Sequence, residues 1–352
     1  MALQRPRLPK RPQLPGLLKL ERDTLLLAAA ALALLACLFR PTVPWQRQLP
    51  ELMVVLDITQ SMHTPDQSVD GRALPRLQAA KQRLREALAL LPCGSRVGWG
   101  LFTEYRSFLL FTPVEVCAHL DELRDSLAHL DNRMAWIGAS EVAKGLYGGM
   151  KIARGLPRPA ALVFVTDGHE SPPLNPRHRP RFDLERGEVP GLIVGVGGDT
   201  LLAMPKLDPS GRPLGSWGAE DVLQTDPRSR GRGGSVGGEQ MVETEGDAPP
   251  SVALGATPGS EHLSSLRQPY LELLAEETGL RYHRLDTAAA LAAALQAPAL
   301  TKPVPVQADL RMPLAALALA LLLARLVRPG GRAQAREVLR RLSWKRALPR
   351  SS

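Results

Sequence analysis

The stretch LMVVLDITQSM, residues 52–62, decides how this 352-residue chain is read. Leu52–Leu56 is apolar without polar alternation, which suits a strand covered on both faces, as in a parallel sheet. The run ends on Asp57, and Thr59 and Ser61 follow at alternate positions. That spacing lets a loop turn one carboxylate and two hydroxyls toward a single point. A second run, AALVFVT at Ala160–Thr166, also ends on an acid, Asp167, with Gly168 after it. A third, GLIVGVG, covers 191–197.

The segments around these runs alternate in kind. Leu74, Leu77, Leu84, Leu88 and Leu91 recur at helical spacing until Pro92 and Gly94 stop the pattern. Val97–Thr103 and Ser107–Phe111 predict an antiparallel hairpin around Glu104–Arg106. Pro113–Leu130 and Ser140–Arg154 predict helices. A helix at Pro269–Gly279, a strand at Arg281–Leu285 and an Ala-rich helix at Thr287–Gln296 follow. Strands alternating with helices imply a doubly wound α/β domain with a mostly parallel sheet. Residues 199–262 break the pattern. They are rich in Gly, Pro, Ser and charge, Arg228–Gly238 is close to low complexity, and they read as a flexible insertion. Within them, Lys206–Trp217 predicts a small hairpin turning at Asp208-Pro209-Ser210-Gly211.

The formal charge of +9 is terminal. Residues 1–23 carry six Lys/Arg against two acids, and 325–352 carry nine against one. That leaves 29 basic and 32 acidic residues for 24–324, a net of −3, and no basic stripe for nucleic acid. The basic ends flank two apolar runs, Thr24–Phe39 and Met312–Val327, each of 16 residues against the ~20 that a straight span wants. Charge on the outer side of both runs places both termini in the cytoplasm and the middle across the membrane. Competing readings are a cleaved signal peptide, a lipoprotein box at Leu34–Cys37, and a buried core helix for the second run. The expected organisation is a basic N-terminus (1–23), a transmembrane helix (24–40), a linker (41–50), the α/β domain (51–300), a linker (301–311), a second transmembrane helix (312–327) and a basic cytoplasmic tail (328–352). Val338, Leu339, Leu342 and Trp344 in that tail could also lie on anionic lipid. Cys93 and Cys117 would be free to pair in an oxidising compartment, or stand as two separate buried thiols.

In an open α/β sheet, ligands gather at the carboxyl ends of the strands, where Asp57 and Asp167 fall. An oxygen-only set suits Mg²⁺, Mn²⁺ or Ca²⁺ better than zinc. The seven histidines show no zinc spacing, and His63 and His169 read as exposed loop residues. A plainer reading has Asp57, Thr59 and Ser61 only capping a helix. Haloacid-dehalogenase phosphatases also end a hydrophobic strand on Asp, but need a second acid where this chain has Thr59. Gly195-Val196-Gly197-Gly198 lacks the third glycine of a dinucleotide loop, and there is no Walker lysine.

Asp57-x-Thr59-x-Ser61-Met62 resembles the DxSxS signature of the von Willebrand factor A (vWA) metal-ion-dependent adhesion site, with threonine for the first serine. Gly138-Ala139-Ser140, with Leu146 six residues later, is similar to that family's second element, and Thr166-Asp167-Gly168 to its third. The resemblance covers roughly residues 50–300. It implies a vWA fold with one short antiparallel edge strand, and a binding module that does not catalyse. It further implies that Thr59 and Ser61 bind a divalent cation directly, Mg²⁺ first, with Ca²⁺ or Mn²⁺ as alternatives. Asp57 and Asp167 would then supply charge largely through water, Ser140 would be the variable ligand, and one position would stay open for an Asp or Glu of a partner protein. In such a fold Cys93 and Cys117 fall at one end of the sheet, which implies a disulfide. More narrowly, the chain resembles bacterial inner-membrane vWA proteins of the BatA/BatB type. Met134-Ala135-Trp136 running into Ser140–Leu146, and the Pro205–Asp208 hairpin, are most similar to the MxaL family. That likeness implies a periplasmic assembly factor for a quinoprotein methanol dehydrogenase, working with sister vWA proteins and a MoxR-type ATPase. An envelope-stress complex of the BatA/BatB kind is the alternative, and a metal-dependent phosphohydrolase the remote one.

Overall fold

The computed structural model describes residues 22–134, 138–176, 178–224, 240–243 and 251–326. The basic termini, Ala135 and Trp136, and the Arg228–Gly238 run lie outside these residues. The chain divides into two compact units, residues 47–304 and residues 1–46 with 305–352. In chain order the elements begin with helix α1 (Arg22–Leu38), strand β1 (Thr42–Asp57), a small hairpin of β2 (Gln67–Val69) and β3 (Arg72–Leu74), and α2 (Arg76–Leu88). Then come β4 (Arg96–Thr103), β5 (Arg106–Glu115), α3 (Leu120–His129), α4 (Val142–Gly155), β6 (Ala161–Thr166), β7 (His178–Arg181) and β8 (Gly191–Gly195). Strands β9 (Leu202–Ala203), β10 (Pro205–Leu207), β11 (Pro213–Ser216), β12 (Gln240–Glu243) and β13 (Leu263–Ser264) follow. The chain continues through α5 (Gln268–Thr278), β14 (Arg281–Arg284), α6 (Ala288–Leu295), β15 (Thr301–Asp309) and α7 (Arg311–Leu326).

The central sheet has the order β14-β8-β6-β1-β4-β5, with β15 paired to β1. Every pairing along the row is parallel except β4 with β5, which is antiparallel and forms the edge. Alternate residues of β1 face opposite sides, as a strand requires. Leu52, Val54 and Leu56 pack with Leu77, Leu84 and Leu88 of α2, Leu123 of α3 and Leu291 of α6. Met53 and Val55 pack with Leu146 and Met150 of α4 and Leu271 and Leu274 of α5. Both faces are therefore covered, which is why the strand shows no polar alternation. Helix α4 lies close on the sheet at Gly145, where an added Cβ would sit 2.1 Å from the Phe102 ring.

Three segments differ from their sequence readings. Residues 41–50 and 301–311, expected as linkers, supply the first part of β1 and the whole of β15. Pro44, Pro50, Pro303 and Pro305 lie in these strands, whose edges tolerate a missing N–H. Residues 113–115, expected to open a helix, extend β5 instead, with Val114 opposite Val97 and Glu115 opposite Arg96. The edge strand is thus ten residues long, not short. Within 199–262, β10 and β11 form the expected hairpin, and β9 pairs with β13.

In the smaller unit, α1 and α7 have 17 and 16 residues, and among the described residues no helix is long and apolar enough to cross a membrane. The two expected transmembrane helices are therefore not shown. Ala30 and Ala33 of α1 pack against Ala318 of α7, small residues that let two helices approach closely. Leu310 N donates to Pro41 O at 3.0 Å, so the end of α1 meets the start of α7 and the pair runs antiparallel. Leu32, Leu34, Leu35, Leu319 and Leu323 are each at least half exposed.

Cys93, before β4, and Cys117, after β5, are joined by a disulfide that spans 24 positions of sequence. A loop of this length closed in the unfolded chain is worth about 3 kcal/mol. Reduction, or Cys93→Ser with Cys117→Ser, is expected to lower the urea-unfolding free energy by about that amount. An unchanged unfolding curve would show that the link contributes nothing.

Candidate functional site

The parallel pairing of β1 with β6 sets Leu56 beside Val165, so both strands deliver their acids to the same end of the sheet. There β1 has β4 on one side and β6 on the other, the point where successive strands depart in opposite directions and a crevice opens. Asp57 is fully buried. Its Oδ1 accepts from Thr59 N at 2.9 Å and Thr59 Oγ1 at 2.6 Å, and its Oδ2 accepts from Thr166 Oγ1 at 2.7 Å. Ser61 Oγ lies 3.4 Å from Thr59 Oγ1 and donates to Asp167 Oδ1 at 3.1 Å. Both hydroxyl hydrogens are committed to carboxylates, so lone pairs of Thr59 Oγ1 and Ser61 Oγ remain for something else. Gly168 closes the second loop at φ +78°, and a Cβ there would meet Leu271 at 2.9 Å.

Ser140 reaches the site by another route. Its N donates to Ser171 O at 2.7 Å, Ser171 N donates to Ser140 O at 2.6 Å, and Glu141 N donates to Glu104 O at 2.5 Å. The Ser140 side chain is buried, its Oγ has no hydrogen-bond partner among the described residues, and it lines the same cleft as Thr59 and Ser61. Of the five residues the sequence singled out, four form one hydrogen-bonded cluster and Ser140 faces the cleft beside it.

Arg76 is the participant that sequence reasoning missed. It is fully buried at the start of α2. Its Nη1 donates to Asp167 Oδ2 at 2.5 Å and to Ser264 Oγ at 2.6 Å, and its Nη2 pairs with Asp66 Oδ2 at 2.6 Å. Gly198 N also donates to that Asp66 oxygen, at 2.8 Å. An arginine after a proline at a helix start looks like a solvated residue, and only the fold shows three elements closing over it. His63 and His169, expected as exposed, are half-buried and buried. Burial holds His169 down to about 4, so its imidazole is neutral at physiological pH.

The electrostatics leave the cluster short of positive charge. Burial, and then the charge of Asp167, push Asp57 up to about 7, against the lowering effect of its hydroxyl donors. Asp66 and Asp167 pair with the buried guanidinium of Arg76, and Arg267 feels the charge of Asp167 first and of Glu261 second. A cation bound beside Asp57 and Asp167 would relieve their mutual repulsion and favour the charged form of Asp57. Among the described residues no group of three or more His, Cys, Asp or Glu could hold a metal. A cation here would therefore depend on hydroxyl oxygens, and Thr59 Oγ1, Ser61 Oγ and the unpartnered Ser140 Oγ suit a hard one.

No protein-family model matches the chain, and no curated protein does. Solved structures do resemble it. An aerotolerance-related membrane protein from Bacteroides fragilis is 14% identical, with 71% of this chain and 98% of that one covered at a TM-score of 0.42. The conserved hypothetical protein BatB from Bacteroides thetaiotaomicron is 14% identical over 71% and 96%, at 0.41. A membrane-spanning protein from Vibrio fischeri is 19% identical over 70% and 95%, at 0.26. Identities this low bear on fold alone, and TM-scores below 0.5 leave even the fold to be argued from the topology itself.

Glu170 holds the start of α4, and with it the Ser140 loop. Its carboxylate accepts from Val142 N at 3.0 Å, Ala143 N at 2.9 Å and Tyr270 Oη at 2.6 Å. Burial nevertheless raises it to about 7. An acid raised in the folded state contributes stability that is full below its unfolded value of 4.5 and is lost as pH climbs through about 7. Glu170→Gln removes that titration. The stability of the native chain relative to this variant is expected to fall by roughly 2 kcal/mol between pH 5 and pH 8 in urea unfolding. A difference that grows with pH would mean the carboxylate is held charged.

Proposed function

We propose that the 47–304 unit is a vWA-type binding domain that docks a partner protein through a divalent cation, Mg²⁺ first, with catalysis playing no part. The observation that carries this reading is the hydrogen-bonded cluster of Asp57, Thr59, Ser61 and Asp167, with the Ser140 Oγ, unpartnered among the described residues, on the same cleft. Thr59, Ser61 and Ser140 would hold the cation. Asp57 is already served by three donors, which suits it to aligning Thr59 and supplying charge. Asp167 aligns Ser61 in the same way and is itself fixed by Arg76. A bound cation would offer an open coordination position to an Asp or Glu of the partner.

The smaller unit is proposed to anchor the domain at a bacterial inner membrane, with the domain in the periplasm. The half-exposed leucines of α1 and α7 support this, because an apolar surface of that kind calls for lipid or protein against it. The short helices would then need a bilayer thinned around them. The client is proposed as a class, a protein presenting a carboxylate. Methanol dehydrogenase maturation and an envelope complex of the BatA/BatB type, with sister vWA proteins or a MoxR-type ATPase, are settings that would supply one.

Calorimetric titration of Mg²⁺ into the full chain in detergent micelles is expected to show uptake of one ion. Asp57→Asn, which keeps the shape and removes the charge, should weaken it on the order of 10- to 100-fold. Ser61→Ala should weaken it as well. A folded chain that takes up no Mg²⁺, Mn²⁺ or Ca²⁺, or variants that bind as the native chain does, would sink the reading. For the anchor, the chain is expected in the membrane fraction after a carbonate wash and released by detergent, and release by carbonate alone would refute it.

A further inference from the structure

The cleft in front of the cluster has a second wall that the metal reading does not use. It encloses about 320 Å³, at the small end for ligand sites. Thr59, Ser61, Ser140 and His169 line one side, and Met204, Trp217, Val222 and Leu223 line the other. The second wall comes wholly from the segment that interrupts the α/β pattern.

That wall is braced. Trp217 N donates to Met204 O at 3.0 Å, across the pairing of β10 with β11. Lys206 Nζ stands 4.8 Å over the Trp217 ring and pairs with Asp221 at 3.1 Å. The ring edge approaches Gly138, where an added Cβ would lie 3.6 Å from Trp217 Cη2. Four polar residues of this cleft carry buried atoms without a partner among the described residues. They are Gln60 Oε1, Ser140 Oγ, Trp217 Nε1 and both ring nitrogens of the buried His169. Trp217 Nε1, a buried donor, asks for an acceptor, and an apolar wall beside it asks for an apolar group.

We infer that the cleft recognises an extended protein segment in which an acidic residue is followed by a large apolar side chain, with Met204, Trp217 and Leu223 selecting the apolar one. This rests on the proposed metal-dependent docking, and names its partner more closely. The acidic side chain answers the cation, the apolar side chain lies on the Trp217 wall, and a main-chain carbonyl accepts from Trp217 Nε1. A space of this size admits two neighbouring side chains and excludes a folded element.

The test uses the full chain in micelles, Mg²⁺, and blocked peptides Ala-Ala-Asp-Leu-Ala-Ala, Ala-Ala-Asp-Ala-Ala-Ala and Ala-Ala-Asn-Leu-Ala-Ala. With Mg²⁺ saturating, the Asp-Leu peptide is expected to bind about tenfold more tightly than the Asp-Ala peptide. The Asn-Leu peptide should not register. Trp217→Ala and Leu223→Ala should bring the first two peptides level while Mg²⁺ uptake stays unchanged. Leu223 is 57% exposed, so its replacement leaves the fold in place if Trp217→Ala does not. Equal binding of the Asp-Leu and Asp-Ala peptides, with Mg²⁺ bound, overturns the inference and leaves the metal reading standing. Absence of Mg²⁺ uptake overturns both. Binding of acetate or isovalerate as tight as that of the Asp-Leu peptide would make the occupant a small acid and overturn the protein segment.

Discussion

A carboxylate buried at the end of the central strand is the constraint on which the rest of this molecule turns. Asp57 has no exposed surface, and an isolated charge there would be costly unless surrounding groups answer it. Three donors do so, two from Thr59 and one from Thr166 on the neighbouring strand. The Thr166 bond is possible only because β1 and β6 run parallel in a fixed register, so sheet pairing and site geometry are one fact. A one-residue slip would turn Asp57 to the wrong face and dismantle both.

The second carboxylate is answered differently. Asp167 meets a buried guanidinium, and that same guanidinium reaches Asp66 after the first loop and Ser264 at the end of the long excursion. Arg76 thereby ties the loop after β1, the loop after β6 and the return of the insertion into one unit. Removing a partner from a buried pair of this kind costs about 3–5 kcal/mol, because the remaining charge stays buried. The same tie holds the insertion in register with the site, and so lets Met204 and Trp217 wall the cleft.

The smaller unit obeys a different logic. Its helices meet through alanines and leave leucines outward, the reverse of the larger unit, where leucines of α2, α3 and α6 point into the sheet. Their contact is suited to surroundings that are themselves apolar.

The sequence by itself determined the alternation of strands and helices, the acids at the ends of β1 and β6, and the hydroxyls two and four residues beyond Asp57. These are local signals, since hydropathy period and short spacings survive without a fold. It misjudged the proline-bearing segments at 41–50 and 301–311, because whether a missing N–H matters depends on which edge of a strand is free. It gave no sign of Arg76, Glu170 or Trp217. Each acts through a partner far along the chain, Asp167, Tyr270 and the Gly138 loop, and only tertiary packing brings such pairs together. Tertiary structure also decided the burial of His169 and the lone Ser140 Oγ, since burial and a missing partner are properties of the surroundings, which no stretch of sequence carries.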